Sequence, residues 1–320
     1  MRPNVKMAGR AVEAAMQSSS IDRGHRLGNY HNYYFHHPPS NRIDVLEEAG
    51  LIDCIARRLL QNCDQTNARS KRQKIGNEEK LCQANGANSS TPMISWKYCD
   101  LGCNEGNLTI NFADAVLKRC HKLSGGDSES QYMECLGLDI DPTLIERANT
   151  KYGSSSETNS SLHSRFEVCN LCDESQHLSK YKVFLENYSE AQRFDLTTLF
   201  STTMWIHIHA GDEGLRDFLR RTCDRTELLV VEPQISKCYG RANTRLRKMN
   251  RPELDSVTSQ SLSMRGNIEE EVEKIILECG FRRLASEERG NDEVNSGGGD
   301  KDGAKRTAWN RLIQLYVRDE

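Results

Sequence analysis

The sequence predicts a doubly wound α/β domain with a mostly parallel sheet. Three observations carry that expectation. Short apolar runs that end in an acidic or polar residue alternate with segments of helical period. The stretch Tyr98-Cys99-Asp100-Leu101-Gly102-Cys103-Asn104-Glu105-Gly106-Asn107 reads as a strand end, a glycine turn and a helix start, the arrangement that such sheets use at their ligand edge. The last two apolar runs lie near the C-terminus after the last helical segment, which suits an antiparallel closing pair.

Taken in order, residues 1–25 are polar and aperiodic and are expected to be a flexible N-terminus, with the domain covering 26–320. Residues 28–42 concentrate aromatics and histidines and end in Arg42; the Pro38-Pro39 pair forbids a helix through it, so an apolar strap or lid is expected. Val45, Leu46, Ala49, Ile52 and Leu59 predict one or two short helices broken near Gly50. Polar insertions are expected near 64–93, 153–161 and 288–305. Lys71-Arg72-Gln73-Lys74 is either a solvated loop or a weak nuclear-import signal.

Strand one ends at Asp100, and Leu108, Phe112 and Val116 form the apolar stripe of the next helix. Strand two is Glu134–Asp139, followed by a helix with Asp141 as N-cap and Pro142 at its first position. Strand three is Phe166–Cys169 and strand four Phe194–Phe200, with a helix from about Asp212 to Cys223. Strand five is Glu227–Glu232, stopped by Pro233; a helix from Ile268 to Cys279 follows, then strands over Phe281–Ser286 and Arg311–Val317. The turn lacks the third glycine of GxGxxG and the Lys-Ser/Thr of a P-loop. Its D-x-G-x-x-x-G form is that of S-adenosylmethionine (AdoMet) methyltransferases. The expected fold is therefore a Rossmann-like class I AdoMet-dependent methyltransferase, a seven-stranded mostly parallel sheet with an antiparallel last strand.

The net charge of −3 excludes a generic polyanion binder and requires any nucleic-acid contact to come from a local basic face. No stretch is apolar and long enough to span a membrane, and no apolar leader is visible, so the twelve cysteines are expected to be reduced thiols in a cytoplasmic, or also nuclear, protein. Cys169-x-x-Cys172 has no second pair at zinc spacing, so no metal is expected.

Ligands bind beyond the C-terminal strand ends in such sheets. Those ends offer Asp100, Gly102 and Asn104, then Asp139 with Ile140, then Asn170 and Leu171. A carboxylate at Asp139 can accept from two ribose hydroxyls; its other reading, a helix cap, is filled better by Asp141. Gly102 admits close backbone approach, and Asn104 offers an amide to the amino-acid part of AdoMet, or a helix cap. Lys237, Arg241, Arg245, Arg247, Lys248 and Arg251 fall within fifteen residues that hold no acid, either a phosphate-binding face or a solvated helix face. In Trp205-Ile206-His207-Ile208-His209, His207 is either substrate-facing or packed.

Several segments then occur in a telling order: Gly28-Asn29-Tyr30-x-x-Tyr33-Tyr34, Asp100-Leu-Gly-Cys-Asn104-x-Gly106, Leu138-Asp139-Ile-Asp141-Pro142, Thr203-Met-Trp-Ile-His207 and Val231-Glu232-Pro233-Gln234. This ordered set resembles the bicoid-interacting-protein-type RNA methyltransferases, which methylate a terminal phosphate oxygen at an RNA 5′ end. Lys237-Cys-Tyr, Arg245-Leu-Arg247-Lys248 and Thr307-Ala-Trp309-Asn-Arg311 resemble the branch acting on 5′-monophosphates of tRNA or small-RNA precursors. The other branch methylates the γ-phosphate of a small nuclear RNA. The chain departs from the pattern in lacking Pro-Trp after Gln234 and in its long 64–93 insertion. The resemblance implies Arg42 beside Asn104 on the AdoMet carboxylate. It places Tyr30, His207, Gln234 and Lys237 around the 5′-phosphate, with Tyr33, Arg241 and Arg245 on the substrate side. It also implies a monomer that uses AdoMet and RNA without a metal. A small-molecule O-methyltransferase and a non-catalytic RNA-binding scaffold are the competing classes.

Overall fold

The computed structural model describes residues 26–28, 32–63, 94–125, 131–153, 161–185, 192–284 and 306–319. The N-terminal tail, Tyr30 and the three polar insertions, apart from a few of their edge residues, lie outside the described residues.

One seven-stranded sheet organises the chain, in the order β3-β2-β1-β4-β5-β7-β6. Its strands are β1 Ile94–Leu101, β2 Gln131–Asp139, β3 Leu162–Val168, β4 Phe194–Phe200, β5 Thr226–Glu232, β6 Phe281–Arg283 and β7 Gln314–Arg318. The first five pair in parallel, and β7 runs antiparallel between β5 and β6. This is the sheet expected from the sequence. β3 starts four residues earlier than its apolar signal, because its first half alternates with solvent and shows no apolar run.

Alternation along the strands feeds two cores. Trp96 and Tyr98 join one with Leu228 and Val230; Cys99 and Leu101 join the other with Leu229 and Val231. Burial of both faces is what a doubly wound sheet requires. Helices α1 (Ser40–Glu48), α2 (51–63) and α3 (Asn107–Ser124) cover the first face. Gly50 separates α1 from α2 at φ 68°, a conformation that favours glycine. The Pro38-Pro39 pair ends before α1, with Pro39 at its N-cap.

Helix α4 (Pro142–Tyr152) begins as expected: Asp141 accepts from the Thr143 amide with Pro142 at the first position. Helix α5 (Glu174–Phe184) has no counterpart in the sequence reading. Only His177 and Tyr181 of it are buried, too few to make an apolar period, and its start rests on Asp173 accepting from the Ser175 and Gln176 amides. Helix α6 runs Thr203–Cys223, nine residues earlier than expected. It is interrupted at Gly211 (φ 74°); its second half carries most of the apolar stripe that packs on the sheet, joined from the first half by Ile206. Helix α7 (Ser236–Lys248) packs through Tyr239, Ala242 and Leu246 on Met204 and Ile208 of the first half of α6, apart from the main cores. Helix α8 (Ile268–Glu278) completes the second face. Among the described residues no helix is long and apolar enough to cross a membrane.

Phe112 is fully buried, with its ring 5.7 Å from those of both Tyr98 and Phe200. Phe112→Ala is expected to cost about 3–5 kcal/mol of unfolding free energy in urea titration. A loss below about 1 kcal/mol would mean that α3 does not anchor the first core.

Candidate active site

The C-terminal strand ends open into one cavity of about 730 Å³, a volume suited to a small-molecule ligand. Its β1–β2–β3 end is built by backbone turns. Gly102 sits at φ 87°, and a Cβ there would lie 2.2 Å from the Thr202 hydroxyl, so only glycine fits between the strand ends. Asp100 is buried and accepts from Thr109 Oγ1 (2.5 Å) and Thr198 Oγ1 (2.7 Å). Burial raises its pKa, and those two hydroxyls oppose the rise. The carboxylate therefore ties β1 to α3 and β4 while also lining the cavity.

Asp139 accepts the Asn104 amide on Oδ2 (2.9 Å) and the Asp141 amide on Oδ1 (3.0 Å). Each oxygen keeps a lone pair for a hydroxyl. Burial pushes its pKa up to about 6 against those backbone bonds. Asn104 adopts φ 53° and uses its side-chain oxygen on the Glu105 amide, so its amide is partly committed to the turn instead of being free for a ligand. Ile140, Asn170 and Leu171 line the same end, with Asn170 Oδ1 holding the Cys172 amide.

The β4–β5 end is built around charge. Arg42 is fully buried; its Nε donates to Glu232 Oε2 (3.0 Å), and its Nη2 to Tyr33 Oη (2.7 Å) and Ser201 Oγ (2.9 Å). Burial works against its charge, but Glu232 outweighs this and holds it firmly protonated. Two of the three guanidinium nitrogens thus face protein, and Nη1, which has no partner, is the one left for the expected contact with a ligand carboxylate. Arg311 joins the cluster through Ser201 Oγ and lies 3.9 Å from Glu232 Oε2. Ser201 holds φ 59° to present that hydroxyl, the kind of local strain found at functional sites. Gln234 lines the wall, but its amide is taken by the Met204 amide (3.1 Å), the Thr203 hydroxyl and the Ser201 carbonyl.

Two expected catalytic residues are not brought to the cavity. His207 is fully buried, with Nδ1 on Tyr239 Oη (2.8 Å) and Nε2 on Asp212 Oδ1 (2.6 Å), a bridge between α6 and α7. Its pKa is lowered by burial against the opposing pull of Asp212. The other histidine of the pair, His209, lines the cavity with Nε2 on the Arg26 carbonyl (2.8 Å). Lys237 is exposed and is not part of the wall; Arg241 and Arg245, one and two turns on along α7, are. Arg247 pairs with Glu253 (2.9 Å), an acid just past the basic stretch.

Ser201 and Trp205, expected at the end of strand four, and His37 of the expected strap line the cavity; Cys238, Trp309 and Arg311 line it without having been expected there. Trp309 and Arg311 are 267 and 269 residues from Arg42, so no local spacing could tie them to it; a tryptophan beside a polar tract was the available signal. Among the described residues no group of three His, Cys, Asp or Glu side chains is arranged to hold a metal.

Comparison with known proteins shows what the chain is similar to. The family model for Bicoid-interacting protein 3 (Bin3) matches residues 194–318. The chain is 30% identical over 241 residues to the pre-miRNA 5′-monophosphate methyltransferase of Danio rerio, covering 75% of this chain and 78% of that protein. It is 31% identical over 257 residues to the Xenopus laevis protein of the same name, covering 80% and 84%. The magnesium protoporphyrin IX methyltransferase of Synechocystis PCC 6803, solved with bound SAH, is 14% identical with a TM-score of 0.43, covering 98% of this chain and all of that one. The family match spans β4 to β7, which supply Ser201, Glu232, Gln234 and Arg311, and the two relatives extend the likeness over most of the chain, so this protein belongs to the Bicoid-interacting protein 3 (Bin3) family.

Proposed function

We propose that this protein is an AdoMet-dependent methyltransferase that esterifies the 5′-monophosphate of RNA. The observation that carries the reading is one cavity with two chemically different ends. One has the Gly102 turn and the Asp139 carboxylate; the other has Arg42, Arg311, Arg241 and Arg245. The names of the relatives, RNA and pre-miRNA 5′-monophosphate methyltransferases, support the substrate. A cytoplasmic, monomeric and metal-independent enzyme is part of the same proposal; light scattering and a chelator-treated assay check the last two.

The residues present fit the donor. Asp139 retains a free lone pair on each oxygen for a pair of ribose hydroxyls, and Ile140 lies beside it on the wall. AdoMet supplies an electrophilic methyl group when bound. The phosphate oxygen that accepts it is already anionic, so no side chain has to withdraw a proton. The protein's task is alignment and exclusion of water. Tyr33, Tyr34 and Trp309 wall the cavity with aromatic surface, and the arginines hold the anion.

Transfer of a tritiated methyl group from AdoMet to 5′-monophosphorylated RNA is expected, and phosphatase treatment of the RNA should abolish it. Labelling that survives dephosphorylation would move the reaction to a base or ribose.

Asp139 must be ionised to accept two hydroxyl bonds. Because its pKa is raised to about 6, AdoMet affinity should fall as pH drops through about 6. Calorimetry across that range should show the step in the native protein. Asp139→Asn should bind weakly without the step, and an unchanged pH profile in the variant would remove Asp139 from the donor site.

Arg241 and Arg245 are exposed on the cavity side of α7. Arg241→Glu with Arg245→Glu should raise the RNA KM and flatten its salt dependence by about two units of log–log slope. Retention of the native slope would make them a solvated helix face.

A further inference from the structure

On the second face of the sheet, away from the cavity, two cysteines 56 residues apart in sequence meet at the ends of two helices. Cys223 is the last residue of α6 and is fully buried. Cys279 directly follows α8, is partly exposed and packs on the same core. Arg318 of β7 ties the two positions together. Its Nη2 donates to the Cys223 carbonyl, and its guanidinium lies 4.7 Å over the ring of Phe281, two residues beyond Cys279. Just past β7, the Asp319 amide donates to the Gly280 carbonyl (2.9 Å). The two thiols are hydrogen-bonded to each other and are unlike. Cys223 donates, and that bond together with burial raises its pKa. Cys279 accepts, and the bond from Cys223 lowers its pKa to about 7, with Arg220 helping and burial, Asp224 and Glu278 opposing. The Cys169-x-x-Cys172 pair, closer in sequence, is not equivalent, because burial pushes both of its thiols up to about 12.

A solvent-facing thiolate with a buried thiol against it is the arrangement in which a first oxidation is captured as a disulfide. We propose that Cys279 and Cys223 form a reversible thiol-oxidation site, in which Cys279 reacts with hydrogen peroxide and Cys223 resolves the product to a disulfide. The Cys279 thiolate attacks a peroxide oxygen and the O–O bond breaks. Hydroxide leaves and takes up the proton that Cys279 had shed, and Cys279 becomes a sulfenic acid. The Cys223 sulfur then attacks the Cys279 sulfur, the S–O bond breaks, and the hydroxyl leaves as water with the Cys223 proton. Two thiols lose two electrons and two protons, and one peroxide becomes two waters. A dithiol reductant restores both by exchange. Cys279 sits at a helix end and is followed by Gly280 at φ 78°, so the backbone that must give is a turn and not a packed helix. The bond ties the end of α6 to the start of β6. Neither cysteine lines the cavity, so the site is separate from the methyl-transfer machinery.

The test uses the full chain, reduced, freed of reductant and exposed to equimolar hydrogen peroxide, then alkylated and digested. Peptide mass spectrometry should find Cys223 joined to Cys279 as the first product, and dithiothreitol should undo it. Any other first disulfide overturns the proposal, and so does a Cys279 that stays reduced while other cysteines oxidise. Cys223→Ala should leave Cys279 as a sulfenic acid that dimedone traps; a Cys279 disulfide that still forms there removes Cys223 from the role. Cys279→Ser should leave Cys223 unoxidised under the same treatment, and oxidation of Cys223 in that variant overturns the order of attack. The native protein gives a readout that packing alone does not move. The rate at which iodoacetamide alkylates Cys279 should rise through an apparent pKa of about 7. In Cys223→Ala, which removes the donor, that midpoint should move up towards the ordinary thiol value of about 8.5. A native midpoint already at the ordinary value, or no shift in the variant, overturns the proposal. The peptide mapping and the native alkylation profile need no variant, so they decide the matter even where a substitution prevents folding.

Discussion

The buried pair of Arg42 and Glu232 is the contact on which the site depends. It joins α1, from the start of the chain, to the end of β5, and through Ser201 and Arg311 it reaches the end of β4 and the approach to β7. Four segments separated by up to 269 residues meet at one carboxylate. Taking both charges out of water is costly, and an ion pair alone seldom repays it. The added bonds from Ser201 and Tyr33 and the stacked Trp309 ring make the geometry tight enough to hold. Removing one partner would leave the other buried and uncompensated, so the cluster fixes the N-terminal strap against the sheet edge and shapes half the cavity.

The opposite half depends on backbone instead of charge. Gly102, Asn104 and Asp139 form a closed set: the Gly102 and Cys103 amides donate to the Leu138 carbonyl, and the Asn104 amide donates to Asp139. The same carboxylate that is placed for a ligand also sets the turn. Its raised pKa reflects burial winning over its backbone donors, a group waiting for further donors before it is fully comfortable as an anion. One end of the cavity is thus short of hydrogen-bond donors, and the other has donors to spare.

Much of this was legible in the sequence because it is local. Asp100-x-Gly102, Leu138-Asp139 and Asp141-Pro142 each encode their structure within a few residues, and β1, β2, β4 and β5 are apolar on both faces because both faces are covered. What was not legible is either weakly patterned or distant. Helix α5 buries two residues and has no stripe. His207 and His209 both follow the strand-four end, and sequence spacing cannot say which one faces inward. On a helix they point about 200° apart, and packing of α7 through Tyr239 gave His207 to the interior. Lys237 and Arg241 belong to one basic run, and only the packing of Tyr239 and Ala242 shows which side of α7 meets the cavity. Arg247 had no acid within the run, yet the fold returns Glu253 to it.

The placement of His207 bears on the chemistry. A reaction needing a general base would want a histidine within reach of the acceptor, and both nitrogens of His207 are engaged between Tyr239 and Asp212. Methylation of a phosphate oxygen imposes no such need, because the nucleophile arrives ionised. The demand falls on holding a charged group still without draining its nucleophilicity, and this favours donors that are few, fixed and already shared. Arg42 and Arg311 are both fixed at the wall: Arg42 bonds Glu232, Tyr33 and Ser201, and Arg311 bonds Ser201.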